Sequence, residues 1–361
     1  MQRNTSGTLM CIQPNTPEYW MYKFRDTALD TVDSNNRTSM QTFFVSWISI
    51  VSSIPSVTSI ILSTFYGHKV RTRSRLLVTL FVVFLCFIVF TGFIEINTDS
   101  WQLGFFILTM LVIILINTMV SLFHASSMAL IAKFPPQYVQ WYLYGEGSSE
   151  LVSAILQIMS LAISPSTETS ALIYFVVGTI ILGTTLLLIF VSKYSPLMQY
   201  HVHSDREDMD TKRPVHTIAE IAATLRQIWP CILLTCVMYL TGVATHPNIT
   251  TLVVSENAGS GSEWSDKYFV PVITFLGTSV TSLIGRFIAG SLIMKRSNQN
   301  IWILVVIVRG LLYIPLEMLC NALPRHHLPV IFRHDWQYAV ISGTQSFSGG
   351  AIYNSLFLSM Q

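Results

Sequence analysis

The decisive stretch is His68-Lys69-Val70-Arg71-Thr72-Arg73-Ser74-Arg75 followed directly by LLVTLFVVFLCFIVFTGFIE, residues 76–95. A basic cluster gives way to an apolar run that carries no charge before Glu95. About 20 apolar residues in a helix match the hydrocarbon thickness of a bilayer. In lipid every backbone amide must find its partner inside its own helix or in a closed barrel. Barrel strands alternate apolar with polar residues, and this run does not, so it predicts a membrane-spanning helix. The basic residues predict that its first end faces the cytoplasm.

Working outward, similar runs follow along the chain. Residues 41–66 form a first candidate span, with Pro55 as a predicted kink, and 76–95 the second. Further candidates are 103–131, 138–164 (which carries Glu146 and Glu150), 169–192, 227–254, 267–294, 300–323 and 336–360. The reading is an all-α polytopic membrane protein with nine candidate spans and the lipid bilayer as its surroundings. Composition agrees: 51% of residues are hydrophobic, 11% are charged, and the mean hydropathy is +0.53. A soluble domain carries about 25% charge. A net charge of +2 is near zero and carries no nucleic-acid signal, and no nucleic-acid partner is expected. Five scattered cysteines form no CxxC pair and suggest neither a metal site nor a disulfide framework. His326-His327 lacks further ligands at useful spacing. No nucleotide-binding loop, HExxH or nucleophile–histidine pattern is found, so no enzyme and no cofactor is expected.

Loop charges extend the topology. Alternation from the 68–75 cluster puts Lys133, the 193–226 loop and Lys295-Arg296 inside, and Glu95, Asp99, Glu168 and the 255–266 loop outside. Arg325 and Arg333 are exceptions on the outer side. Residues 1–40 read as a polar, extracellular-type segment without a signal peptide, with Asn36-Arg37-Thr38 a glycosylation sequon. The mixed-charge stretch 193–226 reads as a cytoplasmic linker between a five-span bundle, 41–192, and a four-span bundle, 227–361. Two bundles joined in this way form a common transporter plan.

Ionisable residues at membrane depth are costly and mark function. Arg286 follows Ser282 and Ser279 at four and seven residues, so the three share one helix face. The reverse face is apolar: Val280, Leu283, Ile284 and Phe287. Arg286 either holds an anionic or hydroxylated substrate group, pairs with a carboxylate, or snorkels to the inner interface. Glu146 lies between Gly145 and Gly147, which permit close helix approach. It is a candidate to bind a cation, carry a proton or neutralise Arg286. Glu150 lies one turn further on the same face, where two ionised acids would repel. His124, in the third span, is a candidate sensor of pH or substrate, or a satisfied interior histidine. Arg309 and Glu317, eight residues apart on nearly the same face of one helix, are expected to form structural ion pairs with another span.

Several short motifs are similar to the equilibrative nucleoside transporters, solute carrier family 29. Tyr268-Phe269-Val270-Pro271, Phe275-Leu276 and Gly285-Arg286 resemble that family's eighth helix. Ile314-Pro315-Leu316 through Leu319-Cys320-Asn321 resembles its ninth. Phe332-Arg333-His334-Asp335, then Ser348-Gly349-Gly350 and Ser355-Leu356, resemble its tenth. Pro135-Pro136, Tyr138 and Gly145-Glu146-Gly147 match the junction of its fourth and fifth. The resemblance implies a major-facilitator-like, two-bundle carrier of eleven helices, with the first and last falling outside this chain. A chain without them is expected to be a truncated product, and a non-transporting membrane protein is a third reading. The resemblance also implies facilitated diffusion of nucleosides by alternating access, with Glu146, Ser279, Ser282 and Arg286 contacting substrate, at the plasma membrane. Glu146 stands where the family usually has glutamine, and Ser282 where it usually has aspartate. The acid resembles the monoamine-transporting branch, which makes an organic cation, with possible proton linkage, the alternative substrate. Oligomeric state is left open.

Overall fold

The computed structural model describes residues 20, 23–24, 39–67, 70–96, 99–164, 166–196, 199, 218–246, 249–289, 299–323 and 329–359. Among them the long elements are all helical: α1 (Ser39–Tyr66), α2 (Thr72–Glu95), α3 (Gln102–Ile131), α4 (Pro136–Ile163), α5 (Thr167–Val191), α6 (Ile218–Thr245), α7 (Thr278–Ala289), α8 (Gln299–Met318) and α9 (Asp335–Ser359). Two wide, π-wound segments, Trp264–Tyr268 and Val270–Gly277, lead into α7. Among the described residues five helical stretches are long and apolar enough to cross a membrane: Thr72–Ile94, Asp99–Ile131, Glu168–Tyr194, Val270–Ala289 and Ile301–Met318. Large apolar side chains point outward from them, such as Leu103, Ile107, Leu187, Leu304 and Leu311. A water-soluble protein does not present so much contiguous apolar surface. The chain is an all-α, multi-pass membrane protein.

Many hydroxyl side chains inside the helices are satisfied within their own helix. Ser52, Ser56, Thr91, Thr118, Thr179 and Thr185 each donate to the carbonyl four residues earlier, at 2.7–2.8 Å. Such bonds make serine and threonine tolerable at membrane depth. Helix α1 runs through Pro55 from Ser39 to Tyr66.

The sixth and eighth spans differ from the sequence reading. The sixth was expected over 227–254, but α6 runs from Ile218, within the expected linker, to Thr245. The chain then turns, and Val254 donates to the Asn321 carbonyl at 2.9 Å. Pro247 in the sequence, which disfavours helix in the residue before it, is the local reason. The eighth span was expected to reach 323, but α8 ends at Met318. The Leu319 carbonyl instead accepts from Ile331 and Phe332, and Cys320 bridges Phe332. Hydropathy alone does not separate such apolar loop backbone from helix.

The chain divides into two compact units. The first comprises residues 1–135 and 159–203. Its core is aromatic: Trp20, Phe24, Phe87, Phe90, Phe105, Phe123 and Phe175 pack with Leu76, Leu80 and Leu182. Within it α2 packs on α3 and α5, and α1 on α3. The basic cluster that decides the fold also helps hold this unit: Arg73 Nη2 donates to the Phe190 carbonyl at 3.2 Å, at the C-terminal end of α5. A cation there meets the unsatisfied carbonyls of the last turn. At the other end, Lys23 is buried and donates to the carbonyls of Ile94 and Ile96, and its Nζ lies 3.1 Å from Glu168.

The second unit comprises residues 136–158 and 204–361. It therefore takes in the Glu146–Glu150 part of α4, while most of the 193–226 stretch lies outside the described residues. Its helices α6, α8 and α9 share an apolar cluster of Leu234, Val306, Ile352 and Leu356. Helices α7 and α9 cross closely, because Gly285 abuts the Phe347 carbonyl and Gly350 the Ser282 carbonyl. A second cluster of Val253, Phe269, Cys320 and Tyr338 lies beneath the loop backbone that joins 252–254, 319–323 and 331–332.

Candidate substrate site

Everything in this site belongs to the second unit. Helix α7 turns Val280, Ile284 and Phe287 outward and buries Arg286. The guanidinium cannot reach water, so it must find acceptors within the protein. Its Nη1 lies 3.4 Å from Glu146 Oε2 and donates to the Leu143 carbonyl at 3.2 Å. Its Nη2 lies 3.3 Å from Glu150 Oε1. Because Glu146 and Glu150 are one turn apart on α4, a single guanidinium spans both. The repulsion expected between the two acids is thereby offset.

The third wall is aromatic. The Tyr353 ring of α9 lies 4.9 Å from the guanidinium carbon, within cation–π range. The Tyr353 hydroxyl points to Glu146 Oε2 at 3.5 Å. The next residue, Asn354, donates to the Arg286 carbonyl at 2.6 Å and so ties α9 to α7. The remaining Arg286 Nε and Asn354 Oδ1 are buried without a partner among the described residues. Gly147 makes room for the arginine: a Cβ there would lie 2.9 Å from Arg286 Cδ. On the outward side of Arg286, Phe287 stacks against Tyr144 at 4.3 Å.

The structure thus brings Glu146, Glu150 and Arg286 together. Ser282 lies at the α7–α9 crossing against Gly350, and Ser279 is half-buried one turn earlier. His124 is half-buried on α3, in the first unit. Arg309 and Glu317 form no direct ion pair. Arg309 Nε donates to Ser348 Oγ at 2.8 Å, and its Nη2 to the Gln345 carbonyl at 2.6 Å. The sequon at Asn36 lies outside the described residues. Sequence reasoning missed Tyr353, Asn354 and the Leu143 carbonyl. The first two carry a signal, a phenol and an amide side by side in an otherwise small and apolar run; a backbone carbonyl carries none.

A helical chain with apolar outer faces, and a buried charged cluster between its helices, is a polytopic membrane protein built on the plan of a solute carrier. The chain belongs to the nucleoside transporter family, whose family model, described as "Nucleoside transporter", matches residues 110–217 and 202–360. It is 26% identical over 344 residues to equilibrative nucleoside transporter 1 of Rattus norvegicus, covering 87% of this chain and 74% of that protein. It is 25% identical to equilibrative nucleoside transporter 3 of Rattus norvegicus, covering 88% of this chain and 71% of the relative. With equilibrative nucleoside transporter 1 of Homo sapiens it shares 23% identity, over 87% of this chain and 74% of that protein.

Proposed function

We propose that this chain carries nucleosides across a membrane, the plasma membrane in the first instance, by facilitated diffusion and alternating access. The family match across residues 110–360 carries the reading. The Arg286 cluster supports it chemically. A buried guanidinium between helices presents hydrogen-bond donors in a fixed fork, suited to ribose hydroxyls or to the acceptor atoms of a base. Glu146 and Ser282 are the companion residues proposed to orient the substrate, with Ser279 further along the same face. Binding would require the substrate to share or displace the contacts that Glu146 and Glu150 now make with Arg286.

One observation favours a second reading. Two carboxylates face one guanidinium, so with both acids ionised the cluster carries a net negative charge. That balance suits a substrate with a cationic group, an organic amine. Reconstitution into proteoliposomes, with labelled adenosine and labelled serotonin, tests both readings. Saturable adenosine uptake that Arg286→Ala abolishes supports the first; uptake untouched by that change overturns the role given to Arg286. Serotonin uptake lost in Glu146→Gln supports the second, and cation uptake retained in that variant removes it.

A further inference from the structure

Among the described residues three charged side chains are buried: Lys23, Arg286 and Glu317. The first two have partners. Glu317, next to last in α8, is 0% exposed, and neither of its carboxyl oxygens has a hydrogen-bond partner. The groups around it do not supply one. On its own helix, Arg309 lies within electrostatic reach but directs its donors to Ser348, the Gln345 carbonyl and Met238 Sδ. From α9, Tyr338 is within electrostatic reach, but its hydroxyl is engaged by Thr274 Oγ1 at 2.9 Å and the Thr250 carbonyl at 3.2 Å. Beyond the end of α8, the Cys320 thiol donates to the Leu316 carbonyl.

An ionised carboxylate shut off from the surface and without a hydrogen-bond partner is among the most expensive groups a membrane protein can bury. The neutral acid is far cheaper, so this closed arrangement selects a Glu317 that holds a proton. Directly above it, loop backbone seals the end of α8: Val254 bonds Asn321, Leu323 bonds Leu252, and Ile331 and Phe332 bond Leu319. Alternation from the basic 68–75 cluster assigns this end of α8 to the outer face, with Arg325 and Arg333 as the exceptions to the charge rule.

We propose that Glu317 is a proton-binding site of the carrier, filled and emptied from the outer face as the 252–254, 319–323 and 331–332 loop cap opens and closes. The step is an acid–base exchange: the carboxylate and a hydronium ion give the carboxylic acid and water, and no other reactant is needed. With the cap open, water solvates Glu317 and the proton leaves at high external pH. The resulting carboxylate resists reburial, so the cap closes slowly and the transport cycle with it. At low external pH the neutral acid is reburied freely. Transport therefore quickens as external pH falls.

The inference rests on the transport reading above, and two measurements separate them. Labelled-nucleoside uptake by the full chain in proteoliposomes is followed between about pH 8 and about pH 5.5. Uptake by the unaltered chain is expected to rise about three-fold or more toward acid, as the reburiable form of a single group accumulates. Glu317→Gln and Glu317→Leu are expected to show flat profiles. A pH dependence that survives in both variants overturns the proposal, as does a flat profile in the unaltered chain. Uptake that needs sodium, and loses that need in Glu317→Gln, would give the site to a metal cation and equally overturn it. Infrared difference spectra of unaltered protein against Glu317→Gln at neutral pH read the site without transport. The carbonyl stretch of a protonated carboxyl, absent from the variant, is expected; a carboxylate band lost in its place overturns the proposal. If neither protein carries nucleoside, the transport reading falls and the infrared band alone decides the proton site.

Discussion

Glu150 on α4 lies 3.3 Å from Arg286 on α7, and this contact makes the arginine's charge balance different from that of a simple pair. With Glu146 at 3.4 Å on the other nitrogen, the guanidinium is held by two carboxylates, a backbone carbonyl and an aromatic face. A group bound so fully is a structural tie as well as a candidate substrate contact. The two roles are separable by experiment.

Removing the arginine leaves two carboxylates facing each other in a site with little water. Arg286→Ala is expected to lower stability by about 3–5 kcal/mol, the range found when one member of a buried charged pair is deleted. Removing Glu150 alone leaves Glu146 in place, and Glu150 is the more exposed of the two acids. Glu150→Gln is therefore expected to lower stability by less than about 1 kcal/mol, as for a partly solvated pair. Thermal unfolding of the purified proteins in detergent checks both. Equal losses for the two variants would contradict this ranking.

Tyr353 offers a finer test, because its ring and its hydroxyl do different things. The ring stacks on the guanidinium, whereas the hydroxyl meets Glu146 only at 3.5 Å, the far limit of a hydrogen bond. Tyr353→Phe is expected to keep most of the stability, and Tyr353→Ala to lose about 0.5–2 kcal/mol of cation–π attraction beyond the lost packing. If phenylalanine is as damaging as alanine, the hydroxyl and not the ring holds the site.

Much of this is legible in the sequence. The 76–95 run and its neighbours predict helices because no other backbone arrangement satisfies amides in lipid. Arg286 and Glu146 stand out as ionisable residues in apolar surroundings, and each is the simplest partner for the other. Other features were not legible, for physical reasons. The ends of α6 and α8 depend on loop-to-loop backbone bonds between 252–254 and 319–323, and hydropathy is blind to those. Arg309 and Glu317, charged and on one helix face, suggest structural pairing with another span. The fold gives Arg309 a hydroxyl and a carbonyl of α9, and leaves the Glu317 carboxyl without a hydrogen-bond partner.

The first unit carries a counterpart tie at Lys23. Its ammonium bonds the carbonyls of Ile94 and Ile96, which close the C-terminal end of α2, and also reaches Glu168. Glu168 is 46% exposed while Lys23 is buried, so the carbonyls and not the ion pair make the lysine valuable. Lys23→Met is expected to cost about 1–3 kcal/mol by stranding those acceptors. Glu168→Gln is expected to change stability by less than about 1 kcal/mol. Protease sensitivity of the α2–α3 junction, measured alongside thermal unfolding, should rise in Lys23→Met and stay unchanged in Glu168→Gln.

The α7–α9 crossing sets the position of the whole Arg286 cluster, and its tolerance is very small. A methyl group on Gly285 would collide with the Phe347 carbonyl, and one on Gly350 with the Ser282 carbonyl. In both cases the obstacle is backbone, which cannot rotate aside as a side chain can. Gly285→Ala and Gly350→Ala must therefore push the helices apart, at a cost of about 1–3 kcal/mol each. Separation would also draw Asn354 from the Arg286 carbonyl and Tyr353 from the guanidinium, because both lie on α9 beyond Gly350. Gly92 is the control, since a Cβ there meets nothing within 4 Å. Gly92→Ala is expected to be neutral or to stabilise by about 0.5–1 kcal/mol, through the helix preference of alanine. Thermal unfolding ranks the three, and substrate uptake should fall with the two crossing variants alone. Were Gly350→Ala to unfold and transport like Gly92→Ala, the close approach of α7 and α9 would not be what holds Arg286 in place.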